Sequence, residues 1–178
     1  GNDGSPAGLE RLQNELTENV RDLRARSVKI KIGAPSAGID IDTRRVAASR
    51  EAIGPDIELM VDANCAFKDV ATCVAYAKAF EPYDIFWFEE PFRPDAFDMH
   101  REFVAATPIP LATGENISTV PHFRELIHQR SVHMVNADVA ILTGGYDGGM
   151  DIWNLALNSG CHLAPHGCQE LQCHYVAA

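Results

Sequence analysis

Residues 57–91, IELMVDANCAFKDVATCVAYAKAFEPYDIFWFEEP, decide how the rest of the chain is read. IELMVDAN (57–64) is a short apolar run ending in polar residues, as a buried parallel strand should. Val70, Cys73, Val74, Ala77 and Phe80 then recur at helical spacing over 68–80. DIFWFEEP (84–91) repeats the apolar run and again ends on acids. Strand, helix and strand in this order form a parallel crossover unit.

The unit recurs outward in both directions. Upstream, Leu9, Leu12, Leu16, Val20 and Leu23 predict a helix over 7–26, and SVKIKIG (27–33) a strand closed by Gly33. A loop with Pro35 and Gly38 leads to a helix near 42–53, stopped by Gly54-Pro55. Downstream, strands are expected at IPLATGEN (109–116), VHMVNADV (132–139) and CHLAPHG (161–167). Helices are expected near 95–106, 119–129 and 148–159, with a last one opening at QELQCHYVAA. Six strands begin near 28, 57, 84, 109, 132 and 161, at intervals of 23 to 29 residues. GAPSAG after the first strand is not a dinucleotide-binding GxGxxG turn. Gly144, Gly145, Gly148 and Gly149 lack a phosphate-loop lysine and read as a loop before a helix.

Composition narrows the function classes. The chain has 178 residues, 46% hydrophobic and 22% charged, which suits a globular α/β domain. Fifteen Lys+Arg against 25 Asp+Glu give a net charge of −10, with no basic face for nucleic acid. Arg21, Arg24 and Arg26 read as a solvated helix face. No apolar run is long enough for a membrane helix, and GNDGSPAGLE does not read as a signal peptide. The cysteines Cys65, Cys73, Cys161, Cys168 and Cys173 include no CxxC pair, which points to reduced thiols in a cytoplasmic protein. CHLAPHGCQELQCH fits no common structural zinc spacing.

Each strand is apolar until its C-terminal end. There the chain places Lys29 and Lys31, Asp62 and Asn64, Glu89 and Glu90, Glu115 and Asn116, Asn136 and Asp138, and His166. In a parallel barrel these ends converge on one mouth, where barrel active sites lie. Lys29 and Lys31 share one strand face, opposite Val28, Ile30 and Ile32. Asp62, Glu89 and Glu115, 27 and 26 residues apart, would repel one another unless a divalent cation lay among them. Carboxylate-rich oxygen ligation suits Mg²⁺. Taken one at a time, the same acids read as helix caps or partners of arginines; taken together at that spacing, they read as a metal site. Trp87 and Trp153 read as packing aromatics, and His122, His128 and His133 as surface residues.

The ordered set VKIKIG, LMVDAN, WFEEP, ATGEN, NADVAILTGG and LAPHG resembles the barrel domain of the enolase superfamily, mandelate racemase subgroup, which includes acid-sugar dehydratases. The fold class this implies is α/β, a partial (β/α)8 TIM-type barrel formed by residues 1–178 as a single incomplete domain. Strands two to seven would be present, and strands one and eight and the N-terminal capping domain would be missing. A complete barrel takes about 250 residues. The resemblance implies Lys31 as general base, with Lys29 lowering its pKa and steering the substrate carboxylate. It implies Asp62, Glu89 and Glu115 as Mg²⁺ ligands, the first acid of WFEEP being preferred to Glu90. His166 becomes the opposing acid/base, oriented by Asp138, and Asn64 and Asn116 become substrate-binding residues. The absence of a lysine on the Asp138 strand argues against the muconate-cycloisomerase-like subgroup.

The implied chemistry is Mg²⁺-dependent abstraction of the proton alpha to a carboxylate, giving an enediolate. Loss of water from a sugar acid to a 2-keto-3-deoxy acid would follow. Racemisation or epimerisation of a 2-hydroxy acid by the same two bases stays open, as does a non-catalytic fragment. So does an aldolase-like barrel with Lys31 as Schiff-base nucleophile. The expected partner is a small-molecule carboxylate, with neither nucleic acid nor membrane, in a homo-oligomer when full-length.

Overall fold

The structure, a computed structural model, describes residues 3–177 and divides into two compact units, one ending at Phe92 and the other starting at Arg93. Each is built from parallel strands alternating with helices.

The first unit opens with α1 (Pro6–Asp22), capped by Ser5, whose side chain accepts from the Gly8 amide. The helix stops at Asp22, short of the expected 26, because Arg24 takes a left-handed φ of 52° and turns the chain. Arg21 alone of the three arginines is therefore helical, and all three are exposed. Strand β1 (Ser27–Lys31) buries Val28 and Ile30 and turns Lys29 and Lys31 to the other face. Helix α2 (Gly38–Ile53) follows, starting four residues before the sequence periodicity indicated. Strand β2 (Glu58–Asp62), helix α3 (Val70–Phe80), a 3₁₀ turn at Glu81–Tyr83 and strand β3 (Ile85–Glu89) complete the unit.

Strands β1, β2 and β3 pair in parallel, with Lys31 opposite Asp62 and Asp62 opposite Glu89. A one-residue irregularity between Leu59 and Met60 sets the second pairing. Behind the sheet, Phe67, Tyr76, Phe80 and Phe88 meet at centroid distances of 4.8 to 6.3 Å. Phe80 and Phe88 are fully buried, and such side chains contribute roughly 1.5–3 kcal/mol each. Arg50 donates to the carbonyls of Gly54, Ile57, Tyr83 and Asp84, tying the end of α2 to the starts of β2 and β3.

The second unit repeats the plan with shorter strands. It comprises α4 (Phe97–Ala106), β4 (Leu111–Thr113), α5 (Val120–His128), β5 (Met134–Val135), α6 (Gly145–Asn158), β6 (His162–Leu163) and α7 (Gln169–Val176). Parallel pairing sets Ala112 opposite Met134, Thr113 opposite Val135, and Val135 opposite Leu163.

Two expectations change here. The runs 109–116, 132–139 and 161–167 are mostly loop, so Glu115, Asn116, Asn136, Asp138 and His166 lie beyond the strand ends. Gly145, read from sequence as loop, already begins α6, and Gly148 and Gly149, where that helix was expected to start, sit buried inside it. They are needed for close packing: a Cβ on Gly149 would come 2.8 Å from Val139 Cγ1, and one on Gly148 would come 2.8 Å from the Thr143 carbonyl oxygen.

Candidate active site

In the first unit, strand periodicity and the register of β1, β2 and β3 bring Lys29, Lys31, Asp62 and Glu89 to one place. Lys31 Nζ lies 2.6 Å from Asp62 Oδ2, and Lys29 Nζ lies 3.4 Å from the same oxygen. Lys29 also donates to Glu89 Oε1. Asp62 and Glu89 are each 1% exposed at the side chain, while Lys29 is 33% and Lys31 56% exposed. The carboxylates are thus the sealed floor of the group and the ammonium of Lys31 its open side.

Burial raises the pKa of Glu89; the Lys29 hydrogen bond and charge oppose that, and Asp62 adds to it. Burial pulls Lys29 down, but its hydrogen bond and charge pairing with Glu89, helped by Asp62, outweigh it and the net direction is up. Trp87 was expected to be a packing aromatic. It is half-buried, and its Nε1 donates to Glu89 Oε2 at 2.9 Å, which holds that carboxylate in one orientation.

Asn64 and Cys65 follow β2 in left-handed conformation, with φ of 44° and 60°. The Asn64 amide donates to Asp62 Oδ1 at 2.9 Å. Glu90 is fully buried and takes a different direction from Glu89, accepting from Asn64 Nδ2 at 3.4 Å. The two acids thus point to different partners: Glu89 meets the Lys29 ammonium, and Glu90 braces the turn after β2.

The donor set suits a hard divalent cation. Asp62 Oδ2 is buried with no aligned hydrogen bond among the described residues, and the Lys29 and Lys31 ammoniums lie 3.4 and 2.6 Å from it. Buried carboxylate oxygens of this kind are the donors a hard divalent cation takes.

The second unit assembles its functional groups from loops. His166 Nδ1 donates to Asp138 Oδ2 at 3.2 Å, and His166 Nε2 lies 3.3 Å from Glu115 Oε2. Asp138 is held on its other oxygen, Oδ1, by the Ala140 amide at 2.9 Å and by Gln172 Nε2 at 2.9 Å. Glu115 follows Gly114, whose φ of 141° and tight surroundings exclude a side chain: a Cβ would come 2.8 Å from Phe123 Cε1. Asn136 is buried and donates from Nδ2 to the Ala164 carbonyl at 2.8 Å, so it braces the loop that carries His166. Asn116 is exposed.

Gln172 was not anticipated, nor was the buried pair Asp42–Arg45. Arg45 Nη1 donates to the Lys31 carbonyl at 2.7 Å and to Asp42 Oδ1 at 3.0 Å, and Asp42 Oδ2 accepts from the Gly33 amide at 2.8 Å. This pair fastens the backbone on both sides of Ile32 and so aims Lys31. Its i,i+3 spacing on a helix was a visible signal. Gln172 carried none. Of the cysteines, Cys168 and Cys173 are exposed, Cys161 and Cys73 are buried, and Cys65 is half-buried.

Comparison with known proteins places these observations. Residues 11–178 match the enolase C-terminal domain-like family. The chain is 37% identical over 170 residues to L-talarate/galactarate dehydratase of Salmonella typhimurium, covering 93% of this chain and 41% of that protein. It is 33% identical over 153 residues to 3,6-anhydro-alpha-L-galactonate cycloisomerase of Streptomyces coelicolor, covering 86% of this chain and again 41% of the relative. The crystal structure of L-talarate dehydratase from Polaromonas sp. JS666, complexed with Mg and L-glucarate, superimposes with a TM-score of 0.86 at 30% identity, over 94% of this chain and 46% of that one. The chain therefore spans less than half the length of these relatives.

Proposed function

Because the chain belongs to the enolase superfamily, in its mandelate racemase subgroup, we propose that it serves proton abstraction alpha to the carboxylate of a sugar acid, followed by loss of water to a 2-keto-3-deoxy acid. The observation that carries this reading is the contact between His166 Nδ1 and Asp138 Oδ2, which presents Nε2 for acid–base work.

Lys31, on the open side of its group, takes the α-proton. The Lys29 ammonium meets the substrate carboxylate, and Asn64 and Asn116 bind its hydroxyls. His166, protonated, delivers a proton from Nε2 to the departing β-hydroxyl. The carbon–oxygen bond breaks, water leaves, and the enol product becomes the 2-keto acid. Asp138 keeps the proton of the neutral ring on Nδ1, so that Nε2 is the exchanging atom. Asp62, Glu89 and Glu115 would hold Mg²⁺, which when bound supplies positive charge against the developing enediolate. The five cysteines, an odd number with no CxxC pair, are in keeping with a reducing cytoplasm.

The test is a panel of acid sugars incubated with Mg²⁺ in D₂O. A 2-keto-3-deoxy product lost in Lys31→Ala and His166→Ala variants is expected. Deuterium at the α-carbon without water loss would move the protein to the racemase or epimerase reading. An intramolecular addition product would move it toward the cycloisomerase relatives. Neither exchange nor product from any substrate would leave a non-catalytic chain.

A further inference from the structure

We propose that Gln172 is a positioning residue that holds the Asp138–His166 pair in a single tautomer and orientation. The proposal rests on the reading of His166 as an acid/base. Gln172 lies on α7 and is 5% exposed. Its Nε2 donates to Asp138 Oδ1 at 2.9 Å and to the His166 carbonyl at 3.0 Å. One amide nitrogen therefore grips both members of the pair, the carboxylate by its side chain and the histidine by its backbone.

The consequence follows from the capacity of the carboxylate. With the Ala140 amide and Gln172 both on Oδ1, that oxygen is occupied and the carboxylate cannot rotate without losing two hydrogen bonds. Oδ2 is left to face His166 Nδ1. Gly167, at a φ of 65°, leaves the room that Oδ2 occupies, since a Cβ there would come 3.0 Å from it. Outer partners of this kind fix the tautomer and ring direction of a working histidine.

The rest of α7 makes Gln172 a fixed point. Tyr175 is buried, its hydroxyl donates to the Gly149 carbonyl at 2.5 Å, and Trp153 meets its ring edge-on at 5.6 Å. Gln172 itself is not an efficient packing residue: its Oε1 is buried with no hydrogen-bond partner among the described residues. Leucine or methionine would fill the space without that orphaned acceptor. What they lack is the donor to Asp138.

The experiment compares the protein with Gln172→Met and Gln172→Leu, either of which suffices if the other does not fold. The ¹⁵N ring signals of His166, assigned by their loss in His166→Ala, report where the neutral ring carries its proton. The wild-type protein is expected to show the proton on Nδ1. Both variants are expected to show a mixture of tautomers, with kcat for water loss down about tenfold and KM within about twofold. Asp138→Asn combined with Gln172→Met should cost no more than Asp138→Asn alone. Unchanged ring signals with only a lower Tm would overturn the proposal, as would an additive double variant. If no acid sugar is turned over but the ring signals still shift, the functional reading fails and the positioning role stands.

Discussion

The two units carry their working groups in opposite ways. In the first, Lys29, Lys31, Asp62 and Glu89 all stand on strands or at their last residue, and charge pairing between them is direct. In the second, strands β5 and β6 are two residues long, and Glu115, Asp138 and His166 ride on the loops beyond them. Regular β-structure aims side chains by its period of two. Loops have no such period, so each polar group must be aimed by its own hydrogen bonds. Both Asp62 and Asp138 accept from an amide two residues on, but Asp138 also takes a side-chain donor, Gln172, while Asp62 meets Lys31 across the β1–β2 register.

The largest effects should fall on turnover. Lys31→Ala on the strand side and His166→Ala on the loop side are each expected to lower kcat by about 10²–10⁴, as loss of a general acid or base does. Steady-state assay of the 2-keto product checks this. A residual rate near wild type in either variant would remove that unit's contribution to catalysis.

Next comes stability in the first unit. Arg45→Met leaves Asp42, fully buried, without its guanidinium, and should cost roughly 3–5 kcal/mol in urea unfolding. Replacing both, Asp42→Leu with Arg45→Met, should recover most of that loss, because no unpaired charge remains buried. Recovery of stability without recovery of turnover would show that the pair aims Lys31 rather than merely holding the fold.

The second unit has its own sensitivity, to pH. His100 is fully buried, donates from Nδ1 to the Ala96 carbonyl at 2.9 Å, and burial lowers its pKa from 6.5 to about 4. The unfolded ring takes up a proton near pH 6.5 and the folded ring only near pH 4. Its contribution is therefore complete above pH 6.5 and declines as pH falls toward 4, by up to about 3 kcal/mol. A His100→Gln variant should lose this component of the slope when urea midpoints are followed between the two values.

The smallest expected effect is a capping one. Asp69 accepts from the Thr72 amide at 2.7 Å and caps α3, so Asp69→Ala should cost about 1 kcal/mol. Asp98→Ala, which removes an exposed pair with Arg101, should change stability by less than about 0.5 kcal/mol. A larger loss at Asp98, which lies in the first turn of α4 without being its N-cap, than at Asp69 would contradict the view that a hydrogen-bonded cap matters more here than an exposed ion pair.

The first unit was the more legible in the sequence. Lys29 and Lys31 two residues apart, and acids closing each apolar run, translate directly into faces and register. Their partners were less visible. Nothing in the spacing of Trp87 and Glu89 announced an indole hydrogen bond, since residues two apart on a strand share a face without having to touch. In the second unit the order of strands was readable but their length was not. Apolar runs such as VHMVNADV satisfy burial equally as strand or as buried loop, and backbone pairing decides between them.

What the sequence determined by itself was the alternation of strand and helix, the family and the identity of the groups at the strand ends. Those depend on local periodicity and on residue type at fixed spacing. Tertiary structure alone decided which oxygen of Asp138 faces His166, that Gln172 grips both, and that Asp42 and Arg45 fasten the end of β1. These contacts join residues up to 34 positions apart, and their geometry depends on helix packing that no local pattern encodes.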